Sequence, residues 1–190
     1  MYCGSHYRDD QPLREWLASQ AQKDVLEPDL PIVDPLHHFW DTPKRGGYLL
    51  HEFLDDSTTG HNIVQTVFLE RDAMYRASGP EALRPVGEVE FVRGIAAMSA
   101  SGGNGSTKIA AGVVGFAELT LGAKVRETLE AELAAGNCIL RGVRYCMPQD
   151  KHEEVIQFQR PEVSTRRPIC VMAWPGPGAH DFHSYNQRHG

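Results

Sequence analysis

Apolar runs alternating with amphipathic helical stretches, repeated from Pro31 to Tyr145, constrain this chain more than any other feature. The first run, Pro31-Ile-Val-Asp34, is β-branched and turns polar at Asp34 and at His37–His38. Ile63-Val-Gln-Thr-Val-Phe-Leu69 is the second and ends in Glu70-Arg71-Asp72. Lys108 to Phe116 is the third, with Glu118 just beyond it, and Cys138 to Tyr145 is the fourth. Between the second and third, Gly79-Pro-Glu-Ala-Leu83 starts a turn and a helix. Val86, Val89, Phe91, Val92, Ile95 and Met98 recur there at a spacing of about 3.6 residues. Ser99 to Thr107, a Gly/Ser/Asn loop, breaks that helix. Leu121, Val125, Leu129 and Leu133 mark another, closed by Gly136–Asn137. Strand–helix alternation of this kind predicts βα units around a parallel sheet. Such sheets bring polar strand ends to their carboxyl edge, where ligands bind.

The flanks read differently. Arg14 to Val25 predicts a short helix stopped by Pro28, so residues 1–30 are a helix and lead-in. Residues 31–150 carry the α/β portion. Lys151 to Arg160 suits one more helix, but Pro161, Pro168, Pro175 and Pro177 follow with Gly176 and Gly178. No period of either kind runs from Arg166 to Gly190, and residues 151–190 are expected to be an irregular tail.

Composition narrows the function classes. At 190 residues, 41% hydrophobic and 23% charged, the chain has the make-up of one globular domain. A formal charge of −6 without any Lys/Arg-rich run argues against nucleic acid and against an anionic membrane surface as partners. Ile109 to Ala117 is the longest apolar stretch, far below the roughly 20 residues of a membrane span. The first sixteen residues hold no apolar signal core, and Cys3, Cys138, Cys146 and Cys170 have no paired or metal-ligand spacing. The expectation is a cytoplasmic protein with reduced thiols.

Candidate chemistry gathers at the strand ends. His37 and His38 are adjacent, so in extended geometry they point to opposite faces, and Asp34, Leu36 and His38 share one. Only one of the two histidines can then enter a pocket. Glu70 ends the second strand, where an acid can accept a proton or hold a metal. Arg141 and Arg144 offer guanidinium forks for a carboxylate, and alternation sends them to opposite faces, with Tyr145 on the face of Arg141. Glu118, beside Lys124 and Arg126, reads as a helix-start acid. Gly102-Gly-Asn-Gly105 precedes a strand and is therefore no phosphate loop.

Leu26-Glu-Pro-Asp-Leu-Pro-Ile-Val-Asp-Pro-Leu-His-His-Phe-Trp-Asp41 resembles the amidohydrolase-related family of TIM-barrel hydrolases. So do Gly60 to Glu70, Ala73-Met-Tyr-Arg76, Gly87-Glu-Val-Glu-Phe-Val92, Leu119-Thr-Leu-Gly-Ala123 and Arg141-Gly-Val-Arg144. The resemblance covers roughly residues 10 to 147, and that family includes lactonases acting at the carboxyl face of the barrel. It implies a partial (β/α)8 barrel of about four βα units, because a complete one needs about 250 residues. It implies a hydrolase acting on a lactone or similar small cyclic ester or carboxylate. His38 would orient or polarise the carbonyl, Glu70 would assist proton transfer, and Arg141, Arg144 and Tyr145 would bind substrate.

Three positions depart from the family pattern. Its first-strand His-x-His falls on Leu36 and His38. Gly115-Phe-Ala-Glu-Leu119 stands where close relatives read Gly-His-Ala-Asp-Leu, and Arg141-Gly-Val-Arg-Tyr145 where they read Arg-Gly-Ile-Arg-His. Zinc or manganese is the ion the family implies, but with His38 the one remaining candidate ligand no metal or other cofactor is expected. The alternative is an inactive, truncated half barrel that binds a partner. Its two open edges and uncovered inner face would favour self-association or a covering partner.

Overall fold

The computed structural model of the protein describes residues 10–21, 23–43, 46–145 and 170–173. Four parallel strands form the frame: β1 (Ile32–His37), β4 (Ile63–Leu69), β5 (Lys108–Phe116) and β6 (Leu140–Tyr145), side by side in chain order. Between β1 and β4 lie a small hairpin, β2 (Trp40–Thr42) with β3 (Gly46–Tyr48), and helix α2 (Leu50–Ser57). Helix α3 (Val86–Ala100) joins β4 to β5, and α4 (Val125–Gly136) joins β5 to β6. The second and third strand candidates and both central helices thus lie where the apolar period puts them. Each βαβ step returns the chain to the neighbouring strand, and the result is an α/β sheet.

All three connecting helices contribute to one side of that sheet. Leu50 and Phe53 of α2 and Val89, Val92 and Ile95 of α3 close over Phe68, Ile109, Val113 and Leu140 in one cluster. Leu129 of α4 joins Ala117 and Val143 in a second. Phe39, Phe68 and Val92 are fully excluded from solvent, and each such side chain contributes about 1.5–3 kcal/mol by leaving water. On the opposite face Val67, Leu69 and Val114 are half-buried and Gln65 is exposed. No helix covers that face among the described residues.

Four register shifts interrupt the parallel pairings, and two of them are bulges that set faces bearing on the polar strand ends. On β1, Asp34 lies opposite Thr66 and His37 opposite Phe68, so three steps on β1 match two on β4. Thr66 and Phe68 share a face, which moves Asp34 to the side of His37 and away from His38, correcting the face expected from simple alternation. The second bulge lies at Arg141, where Val113 and Val114 face Leu140 and Gly142.

The periphery departs from expectation in three places. α1 (Asp10–Ser19) stops before Val25 because Ser19 Oγ and the Gln20 side-chain amide both turn back to the Trp16 carbonyl, at 2.6 and 3.3 Å. Leu26, which the longer helix would have used, is 95% exposed. The hairpin and α2 have no counterpart in the sequence reading, since strands of three residues are too short to show a period. Finally, Cys170–Ala173, expected within an irregular tail, form an antiparallel strand β7 on the outer edge of β6. The rest of 151–190, including the helix expected over Lys151 to Arg160, lies outside the described residues.

At the other edge, β1 has no further partner among the described residues, and Pro35 lies within it. Proline has no amide hydrogen, which suits an edge and hinders strand addition there.

Two glycines of α3 make opposite demands. A Cβ on Gly87 would come within 2.6 Å of the Met74 carbonyl and 2.8 Å of the Arg76 amide, both backbone. A Cβ on Gly94 would meet nothing within 4 Å, and Gly94 is exposed. In urea unfolding, Gly87→Ala is expected to lose about 1–3 kcal/mol. Gly94→Ala is expected to gain up to about 1 kcal/mol from helix propensity. Equal effects at the two positions would contradict this packing.

Candidate active site

The carboxyl edge of the parallel sheet collects the polar strand ends. Arg144, near the end of β6, reaches across β5 to the residue that follows β4. Its Nε donates to Glu70 Oε1 at 2.9 Å and its Nη2 to the Glu70 carbonyl at 2.7 Å. The two side chains are 19% and 7% exposed, so the pair is largely removed from solvent screening. Glu70 also donates its backbone amide to the Val114 carbonyl at 2.8 Å. Three adjacent strands therefore meet at this one residue.

His38 comes to the same edge. Its Nδ1 lies 2.8 Å from the Leu69 carbonyl. A carbonyl can only accept, so Nδ1 carries the proton and neutral His38 keeps its lone pair on Nε2. Burial lowers its pKa. The Leu69 hydrogen bond opposes that shift, and the cationic Arg144 and Arg71 add to it. His38 is thus held as a neutral imidazole beside the Glu70–Arg144 pair.

His37 belongs to the core. It is 6% exposed, and its ring packs at 4.6–5.7 Å from Phe39, Phe53 and Phe68. Its Nε2 meets the Thr66 hydroxyl at 2.8 Å, and that hydroxyl accepts the Ala110 amide at 2.9 Å. Burial, with His38 next to it, depresses the His37 pKa to about 4. The two histidines divide as adjacent strand residues should, one inward and one at the edge.

Of the substrate-binding candidates, Arg144 lies beside Glu70 at the carboxyl edge and Arg141 does not. The Arg141 stem lies over Gly112, and its guanidinium bonds the Cys138 carbonyl at the amino end of β6, the opposite end from Glu70. The bulge at Arg141 carries it there. Tyr145 is 1% exposed with its ring 5.8 Å from that of Phe116, so it packs inside the protein. Glu118 bonds the amide and hydroxyl of Thr120 and caps the turn Leu119–Lys124.

Two acids absent from the sequence reading lie behind Glu70. Glu88, in the first turn of α3, is 1% exposed, and Glu132 of α4 is fully buried. Glu88 Oε1 accepts the amides of Arg71 and Ala73 at 2.9 and 3.0 Å. Glu132 fits into a niche that only glycine leaves open, since a Cβ on Gly115 would strike its carboxyl group, with Cδ at 2.9 Å. Burial pushes both acids up to about 8, the backbone amides facing them pull the other way, and neighbouring carboxylates, Glu70 among them, push further. Tyr75, whose hydroxyl donates to Asp72 Oδ1 at 3.2 Å, is raised by burial and by Asp72, Glu88 and Glu70. A signal for Glu88 was present: it falls on the stripe of Val92, Ile95 and Ser99, at positions where a helix faces its core.

A divalent ion does not fit this donor set. Among the described residues no three His, Cys, Asp or Glu side chains converge to hold one. Leu36 is 51% exposed where a second first-strand histidine would be needed, and Arg144 already places a cation on Glu70.

The buried acids give stability a defined pH dependence. Carboxyls whose folded pKa is raised favour the fold at low pH, and that contribution is lost as pH rises toward about 8. His37, with a lowered pKa, acts in the opposite sense and only below its ordinary value of 6.5. Between pH 6.5 and 8 the glutamates act without it, and stability is expected to fall by about 1 kcal/mol or more for each acid. Glu132→Gln should flatten the slope in a pH series of thermal melts, and an unchanged slope would remove the acid from this role. Comparison with protein-family models, with curated proteins and with solved structures found no match.

Proposed function

We propose that the chain is the first half of a (β/α)8-type hydrolase of the amidohydrolase-related kind, acting on a lactone or similar small cyclic ester or carboxylate. The observation that carries this reading is the meeting of His38, Glu70 and Arg144 at the carboxyl edge of parallel strands ordered as in a barrel. Helices on one face and a partly apolar second face that no described helix covers support the same reading, since the inner face of a barrel carries no helices. No helix of the described residues is long and apolar enough to cross a membrane. Unpaired cysteine spacing supports placing the protein in the cytoplasm.

In this mechanism neutral His38 presents Nε2 to water or to the substrate carbonyl. Glu70, paired with Arg144, would assist proton transfer at the same edge. Arg144 uses Nε and Nη2 on Glu70 and has Nη1 to offer a substrate carboxylate. No step uses a metal.

Because His38 must be neutral and its pKa lies below 6.5, kcat/KM on a panel of sugar-acid lactones is expected to hold at pH 7 and to decline on the acid side only below 6.5. His38→Ala is expected to lower it about 100-fold or more. Matching rates for wild type and variant would end the enzyme reading. Protein purified without chelator should contain far less than one equivalent of zinc or manganese by elemental analysis.

A second reading, a non-catalytic half barrel that binds a partner or itself, rests on the surface around β1. Leu26, Leu30, Val33 and Leu36 are each more than half exposed. β7 also lies antiparallel where the next parallel strand of a barrel would pair with β6. This reading expects concentration-dependent association in sedimentation velocity, reduced by Val33→Ser with Leu36→Ser. A monomer at all concentrations would count against it.

A further inference from the structure

The turn after β4 has an unusual backbone. Asp72 and Met74 are both left-handed, with φ of 60° and 54°, and non-glycine residues hold that conformation only where their surroundings enforce it. Between them Ala73 is 7% exposed. Its amide and that of Arg71 both end on Glu88 Oε1. The same turn follows directly on Glu70 and carries Asp72 and Tyr75, which bond each other.

We propose that Glu88 is the positioning residue of the site: by accepting the Arg71 and Ala73 amides, it fixes the turn that aims Glu70 at Arg144. The proposal rests on the reading of His38, Glu70 and Arg144 as the site, but its test reads the turn and not turnover. Three features support it. The single oxygen satisfies two amides, one of them buried, that would otherwise face apolar surroundings. Gly87, the neighbour of Glu88, is the residue that lets Met74 and Arg76 approach the helix start. The groups facing Glu88 are Glu70 and Asp72 from the turn, Tyr75 beyond it, and Glu132 from α4. Three of these are carboxyls and none is a cation, so burial among them favours the uncharged form of the acid. Ionisation near pH 8 would put a buried charge among three other acids and loosen the turn.

Amide hydrogen exchange by NMR on the full chain tests this. Wild-type protection at Arg71 and Ala73, corrected for the intrinsic rate, is expected to drop roughly tenfold as pH rises from 7 to 9. Glu88→Gln keeps the accepting oxygen and cannot ionise, so it should protect both amides with no such step. Glu88→Leu should lose roughly tenfold at both amides already at pH 7, with Val113 in β5 unaffected. If Glu88→Leu does not fold, the wild-type and glutamine profiles decide alone. A pH step that persists in Glu88→Gln, or its absence in wild type, would overturn the proposal. Loss of lactone hydrolysis alone would not, because these readings do not depend on turnover.

Discussion

The reach of Arg144 across β5 to Glu70 is the contact on which the carboxyl edge depends. It ties β6 to the end of β4 over an intervening strand, using a side-chain oxygen and a main-chain carbonyl together. Removing either partner would leave the other largely buried and charged, which costs far more than an exposed pair of the same geometry contributes. Arg76 and Glu90 form such an exposed pair, with 41% and 49% of their side chains in solvent. His38, Tyr75 and the acids of α3 and α4 arrange themselves around the buried pair.

The acids on α3 and α4 show how a polar group can occupy the core without a salt bridge. Glu88 offers an oxygen to two amides, and Glu132 rests against a strand glycine. In each case the carboxyl is kept neutral more cheaply than it could be kept charged. The helices thereby gain a polar layer next to Glu70, at the price of a fold that is less stable in alkali.

Periodicity made the frame legible. Ile63–Leu69 and Lys108–Phe116 are long apolar runs, and α3 and α4 show their stripes, because burial on a regular element leaves a regular pattern. Features that break the period were hidden. The bulges before His37 and at Arg141 reassign faces that alternation alone would fix. Glu88 and Glu132 stand where apolar residues are counted, so a hydrophobic pattern reads them as gaps. At the site, His38, Glu70 and Arg144 were visible as polar strand ends. The same rule points to Arg141, which is turned back at the far end of its strand, and to Tyr145, which is buried against Phe116 beside Arg144.

The two margins of the sheet end differently. β7 runs antiparallel along β6, and β1 carries a proline and a bulge. Among the described residues neither margin offers the long, regular row of free amides and carbonyls from which cross-β structure grows by successive strand addition. Fibril growth from these two margins would therefore require the sheet to open first. Its rate would follow the population of unfolded molecules and not the concentration of folded ones.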